Sequence, residues 1–220
     1  KNSLDKKVLN QQSQHWEKNF SNKPEMFGLE PSISAIKALE IFKEKKITNI
    51  IELGAGLGRD TIFFAQNSIK VHALDYSPSS IKIIKEKSKK NNLDHLISTE
   101  IFDIRKKLRQ DSGKYGGCYS HMLYCMALSS FELLKLNDEI YRILNHQGIN
   151  IYTVRNENDG DYKNGIHRGE DMYENDGFIV HFFSKDKVKS LLKGFKNLSI
   201  EKFNEGNFPR KLYFVVNKKI

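Results

Sequence analysis

Seven consecutive residues concentrate the chemistry of this 220-residue sequence: Glu52-Leu53-Gly54-Ala55-Gly56-Leu57-Gly58. Glycines at alternate positions let a backbone turn sharply and approach a ligand closely. The free N–H groups and the positive end of a following helix then favour an anionic group such as a carboxylate. About twenty residues further on stands Asp75, placed to accept hydrogen bonds from both hydroxyls of a ribose. The dinucleotide fingerprint GxGxxG is broken, because the third glycine arrives one position early at Gly58 and Arg59 occupies the place it requires. Arg59 and Asp60 also have plainer readings, as a surface charge and as a carboxylate complementing the positive end of its helix.

The elements around this turn explain why it sits where a ligand can reach it. Helical spacing runs over 4–20 and 32–45, with breaks at Pro24, Gly28 and Pro31 between them. A β-branched run over 47–53 enters the glycines, and a helix over 59–66 leaves them. The alternation continues with a strand over 70–74, a helix to about Asn91 opened by Ser77 as N-cap and Pro78, strands over 96–102 and 117–122, a helix over 129–144, and a strand over 149–154. After a polar stretch over 156–177 come an extended segment at 178–183, a helix at 185–193 and strands at 198–203 and 212–216. Alternating units followed by a closing hairpin imply an α/β fold, a doubly wound and mostly parallel sheet with helices on both faces. In such sheets ligands bind at the carboxyl ends of the strands, where the strand order reverses.

Acceptor-side chemistry is expected from His121, which ends a strand, from His181, and from Arg155 and Arg210, which could pair with an anionic substrate. Arg155 has an alternative use, anchoring the following loop through an acid such as Glu174. The segment 156–183 is long for a connection and carries Tyr162, His167, Arg168, Tyr173 and Glu174, the groups a substrate lid would use. His167, Glu170, Asp171 and His181 match no compact ligand spacing, so no metal is expected. Cys118 and Cys125 lack CxxC spacing and read as buried thiols. Trp16 and Phe20, four apart on a helix, would staple that helix to the domain and could cover a ligand in doing so.

The acidic residue before GxGxG, the acid after the second strand and the acid after the third make the sequence resemble the class I S-adenosylmethionine (AdoMet)-dependent methyltransferases, over about residues 15 to 217. The tracts Glu25-Met26-Phe27-Gly28 and Tyr119-Ser120-His121-Met122 are most similar to the small-molecule branch that includes thiopurine and tellurite-resistance methyltransferases. The resemblance implies a seven-stranded Rossmann-like sheet whose last strand is antiparallel. It implies that Glu52 supports the methionine end of AdoMet, that Gly54, Ala55 and Gly56 pack against it, and that Asp75 holds the ribose. Tyr76 and Ser77 would lie beside the adenine, Asp103 and Ile104 at its amino group, and Ser120 beneath the reacting centre, with Trp16, Arg59 and Asp60 completing the site. One domain is expected: a helical cap over 1–46, an AdoMet-binding core over 47–155, a substrate lid over 156–183 and a closing helix and hairpin over 184–220.

The formal charge of +9, from 36 Lys and Arg against 27 Asp and Glu, admits a nucleic-acid partner. The lysines are scattered, though, with few arginines or aromatics among them to stack on bases, and the Asn/Asp-Pro-Pro-aromatic motif of many base-directed methyltransferases is absent after the fourth strand. No run of apolar residues is long enough for a membrane span or signal peptide, so a cytoplasmic location is expected. The expected activity is methyl transfer from AdoMet to a small-molecule acceptor. The alternatives are an RNA or protein methyltransferase and a non-catalytic AdoMet-binding module.

Overall fold

The computed structural model describes residues 4–206 and 210–220. Two helices open the chain, α1 (Lys6–Asn22) and α2 (Ile33–Glu44), and strand β1 (Asn49–Leu53) then enters the glycine turn. There follow α3 (Arg59–Gln66), β2 (Lys70–Asp75), α4 (Pro78–Lys90), β3 (Ile97–Ile101), β4 (Tyr115–His121), α5 (Ser130–Ile143) and β5 (Leu144–Arg155). Three short strands β6 (Ile166–Gly169), β7 (Met172–Asn175) and β8 (Phe178–His181) precede α6 (Lys185–Ser190), and β9 (Phe195–Glu205) and β10 (Arg210–Lys219) close the fold. The main sheet has seven strands in the order β3-β2-β1-β4-β5-β10-β9, with β10 antiparallel to both neighbours and the first five parallel. The order reverses between β1 and β4, so the glycine turn lies at the crevice such sheets use for ligands.

Strand alternation builds the two layers of core. Ile51, Leu53, Cys118 and Tyr152 face one layer, packed by α5, while Ile50, Tyr119, Ile151 and Phe214 face the other, packed by α2 and α3. Helix α2 buries Ala35, Ala38, Leu39 and Phe42, a stripe at helical spacing, and Ser32 caps it by accepting the Ala35 N–H at 3.0 Å. Helix α5 carries a capping box between Ser129 and Glu132 and buries Leu133, Leu136 and Ile140. Each such side chain stabilises the fold by about 1.5–3 kcal/mol relative to exposure. Among the described residues no helix is long and apolar enough to cross a membrane.

The polar stretch expected as a loop instead supplies two of the three strands of a second sheet, in which β6, β7 and β8 pair antiparallel. Asp176 and Gly177, with φ of 49° and 82°, form a two-residue turn between Asn175 and Phe178, the Asp-Gly hairpin chemistry. Strand β5 is also longer than its hydrophobic run, starting at Leu144 directly after α5 because Leu144 pairs with Tyr115 ahead of a register shift.

Candidate functional site

The carboxyl ends of β1, β2, β4 and β5 and the chain just beyond β3 open on one cavity of about 840 Å³, a size suited to a cofactor with room beside it. The glycine turn forms its floor. Gly54 and Ala55 both donate their N–H to Leu74 O, at 2.8 and 3.0 Å, which fixes the turn against β2. Gly54, Gly56 and Gly58 all have positive φ, between 54° and 77°. A Cβ on Gly56 would find nothing nearer than 3.7 Å, so that position opens on the cavity, whereas a Cβ on Gly54 would meet Leu123 Cδ1 at 2.8 Å.

Three carboxylates line this wall. Glu52 is buried and accepts the Thr61 hydroxyl at 2.5 Å; burial, joined by the nearby Asp60 charge, holds its pKa well above the usual carboxylate range. Asp75 accepts the N–H of Gly56 at 2.8 Å and of Ser77 at 2.9 Å, yet burial still pushes it up to about 6. Each of its oxygens keeps acceptor capacity toward the cavity. For Asp103 burial acts in the same direction but loses to Arg105, whose guanidinium grips both carboxylate oxygens at 2.7–3.1 Å and leaves the pKa below its usual value. Tyr76 lies between Asp75 and Asp103, its phenol pushed above its ordinary range by burial and the Asp75 charge.

Trp16, Glu52, Gly54, Ala55, Gly56, Arg59, Asp60, Asp75, Tyr76, Asp103 and Ile104 line the cavity together with His121 and Arg155. Ser77, Ser120 and His181 are not brought to it. Ser77 caps α4, accepting the Ser80 N–H and donating to Glu17 of α1. Ser120 faces the core layer opposite to its neighbours Tyr119 and His121, fully buried with its hydroxyl unpartnered. His181 fails for the same reason of strand alternation: Val180 points into the cavity and His181 points away, against Leu128 O at 2.7 Å and the Lys187 ammonium. The expectation that His181 serves the acceptor is therefore corrected.

Arg155 reaches the cavity but is already committed. It is buried against Asp159 (2.5 Å) and Asp161 (2.5 Å), and Asp159 also accepts the Lys211 N–H at 2.8 Å. Through Asp159 the segment after β5 is thus tied both to Arg155 and to β10, and Glu174, the partner suggested by sequence, pairs with Arg168 instead at 2.6 Å. Asp60 serves the site's frame, accepting the Ser32 N–H (2.8 Å), the Ser32 hydroxyl (2.7 Å) and the Tyr119 hydroxyl (3.0 Å). His121 has both ring nitrogens engaged: Nδ1 contacts Ser34 Oγ (2.8 Å) and Thr153 Oγ1 (2.9 Å), and Nε2 lies 2.9 Å from Glu205.

Sequence reasoning missed Phe178, Arg105, Met126 and Glu205 in this lining. Phe178 follows the Asp-Gly turn and packs on Trp16 with ring centroids 4.9 Å apart, a contact that the turn signal could have suggested. Glu205, at the end of β9, had no local signal, since β9 lies beyond β5 and β10 in the sheet and only its last residue reaches over to His121 at the end of β4. Among the described residues no three His, Cys, Asp or Glu side chains are grouped to hold a metal ion.

Residues 50–148 match the family model of a methyltransferase domain. No curated protein matches the sequence. Among solved structures, the Burkholderia thailandensis 1,6-didemethyltoxoflavin-N1-methyltransferase, with bound 1,6-didemethyltoxoflavin and S-adenosylhomocysteine, superposes with a TM-score of 0.76 at 12% identity, covering 99% of this chain and 91% of its own. TehB from Haemophilus influenzae gives 0.66 at 19% identity, over 93% of this chain and 67% of its own. A SAM-dependent methyltransferase from Methanosarcina mazei gives 0.68 at 14%, over 78% and 92%. These identities speak for the fold, and the matched segment contains the glycine turn, Asp75, Asp103 and His121. Residues 50–148 are thus similar to a methyltransferase domain, and the chain takes the fold of AdoMet-dependent methyltransferases.

Proposed function

We propose that this protein transfers the AdoMet methyl group to a small-molecule acceptor held beside the glycine turn. The observation that supports this most is one cavity that the glycine floor, Glu52, Asp75 and Asp103 line together with Met122, His121 and Glu205, which leaves room for a second ligand beside the cofactor. The residues fit the cofactor. Gly56 leaves space above a backbone that no side chain fills, Asp75 retains acceptor capacity for ribose hydroxyls, and buried Glu52 offers a partner to an ammonium group. AdoMet brings a methyl group already activated by the sulfonium charge, so the protein's task is to exclude water and hold the acceptor in line.

The chain's own elements supply that exclusion. The α1 residue Gln12 donates to Gly177 O at 2.8 Å and accepts the Ile179 N–H at 3.1 Å, clamping β8 over the cavity. Trp16 and Phe178 pack together at the same edge. A cavity so roofed suits a small molecule, such as the 1,6-didemethyltoxoflavin bound in the Burkholderia enzyme, better than a polymer chain.

Calorimetric titration with AdoMet, S-adenosylhomocysteine and NADH, then incubation with labelled AdoMet and separate pools of metabolites, RNA and protein, tests the proposal. Binding of the first two and label in the metabolite pool are expected. Binding of NADH alone would reject the cofactor, and label confined to RNA or protein would reject the acceptor class.

A further inference from the structure

Resting on that reading, a finer one comes from Glu205. It ends β9, four-fifths buried, with Oε2 at 2.9 Å from His121 Nε2. His121 is held from the other side by Ser34 and Thr153, and Ser34 Oγ is itself held by Tyr119 OH at 2.9 Å, so the imidazole has no freedom to turn toward a ligand. The other carboxylate oxygen, Oε1, makes no hydrogen bond among the described residues; its nearest cation is Arg59 NH2 at 3.8 Å. Glu205 therefore presents an ordered acceptor atom to a cavity whose remaining wall is largely apolar.

The charges facing this oxygen decide which ligand it prefers. Arg59 is shared among Phe27 O at 3.1 Å, Asp60 at 3.7 Å and Glu205 itself, and Arg210, more exposed, stands opposite Glu205 in the β9–β10 pairing and adds its charge there. Arg155 and Arg105 are consumed by their own aspartates. Burial would raise the Glu205 pKa, but His121, Arg59 and Arg210 together hold it below the usual range, so the group is a carboxylate at neutral pH. An anion entering here would meet the negative charge of Glu205 at close range, whereas an N–H donor would give its Oε1 a hydrogen-bond partner.

We propose that the methyl acceptor presents a hydrogen-bond-donating nitrogen, as an amine, amidine or N–H heterocycle, to Glu205, with His121 as the positioning residue that holds this carboxylate. The cavity thereby selects against carboxylate and oxyanion acceptors, a role the arginines alone would have suggested in reverse.

Two flat probes of equal shape and opposite charge, benzamidine and benzoate, test this without knowledge of the natural acceptor. Each is titrated calorimetrically into protein saturated with S-adenosylhomocysteine. Benzamidine should bind at least about ten-fold more tightly, equivalent to about 1.4 kcal/mol. Glu205→Gln should reduce that ratio to within about three-fold while leaving S-adenosylhomocysteine affinity unchanged, and His121→Asn should reduce it partly. Melting temperatures confirm that the variants fold, and Glu205→Asp, which keeps the charge, should keep the preference for benzamidine. Equal binding, tighter benzoate binding, undetectable binding of both, or a preference that survives Glu205→Gln would overturn the proposal. Failure of S-adenosylhomocysteine itself to bind would instead overturn the methyltransferase reading on which it rests.

Discussion

Replacing Asp75 by asparagine sets two effects of similar size against each other. In the parent, Oδ1 and Oδ2 each accept a backbone N–H, from Ser77 at 2.9 Å and Gly56 at 2.8 Å. An amide has one oxygen, so one of those N–H groups would face an NH2, a loss of about 1–3 kcal/mol for a buried donor left unsatisfied. Against this, the parent's carboxyl has its pKa raised from 3.8 to about 6 by burial, a penalty of roughly 3 kcal/mol on the charged form that the variant escapes. Because the folded state holds this proton more tightly than the unfolded state, the parent loses stability as pH rises from about 4 to about 6 and keeps that deficit above it. The variant has no such loss. At pH 7.5 the two proteins should lie within about 2 kcal/mol of each other, and the variant should compare better there than at pH 4.5 by about 2 kcal/mol. Urea unfolding at both pH values reads this difference, in which all other titrating groups cancel. Affinity for S-adenosylhomocysteine should fall about five- to hundred-fold, since the ribose hydroxyls lose a charged acceptor. Parallel pH profiles for parent and variant, or a folded variant with unchanged affinity, would refute the reasoning.

The glycine turn separates stability from binding. Gly54→Ala and Gly58→Ala place a Cβ 2.8 Å from Leu123 Cδ1 and 2.6 Å from Ile84 Cγ1, and should lower the melting temperature beyond the ~1–2 kcal/mol cost of a left-handed residue; Gly56→Ala should carry only that cost yet still lose cofactor, measured by thermal shift with and without S-adenosylhomocysteine. His181 predicts an acid effect. Burial and the Lys187 ammonium depress its pKa to about 4, against the opposing pull of Leu128 O, Glu170 and Asp171, so its contribution is present above pH ~6.5 and lost as pH falls toward 4. His181→Gln should flatten the fall in urea midpoint over that window, and an unchanged slope would show that the ring is not held neutral.

The sheet was readable because its strands are apolar runs closed by turn residues, and the lining of the cavity because its residues stand at the ends of those runs: Glu52 near the end of β1 with the glycines after it, Asp75 at the end of β2, Asp103 shortly after β3. Periodicity also carried information that went unused. A side chain one position away points to the opposite layer, so Val180 and His121 reach the cavity while His181 and Ser120 do not. Of the second sheet only β8 was read, as an extended segment at 178–183; β6 and β7, four residues each, have no apolar run to mark them, and the Asp176-Gly177 turn was the signal left unused.

Charge pairing was the part that sequence could not supply. Arg155 looked available because the acids near it in sequence, Asp159 and Asp161, could equally have faced solvent; the fold of the lid closes both onto the guanidinium within six residues. Glu205 is the converse case, an ordinary acid of a mostly exposed strand that becomes a cavity residue because β9 lies at the sheet edge beyond β10 and its last residue bends over His121. The N-terminal helix shows the same long-range logic. Its Gln12 holds the backbone of Gly177 and Ile179, its Glu17 caps α4 through Ser77 and Ser79, and its Asn10 steadies Arg105, so α1 fixes three segments, the farthest 167 positions along the chain from it. A helix bonded at once to the start of α4 and to the backbone around β8 links the two through its own rigidity, so a shift of either segment loads the hydrogen bonds that hold the other.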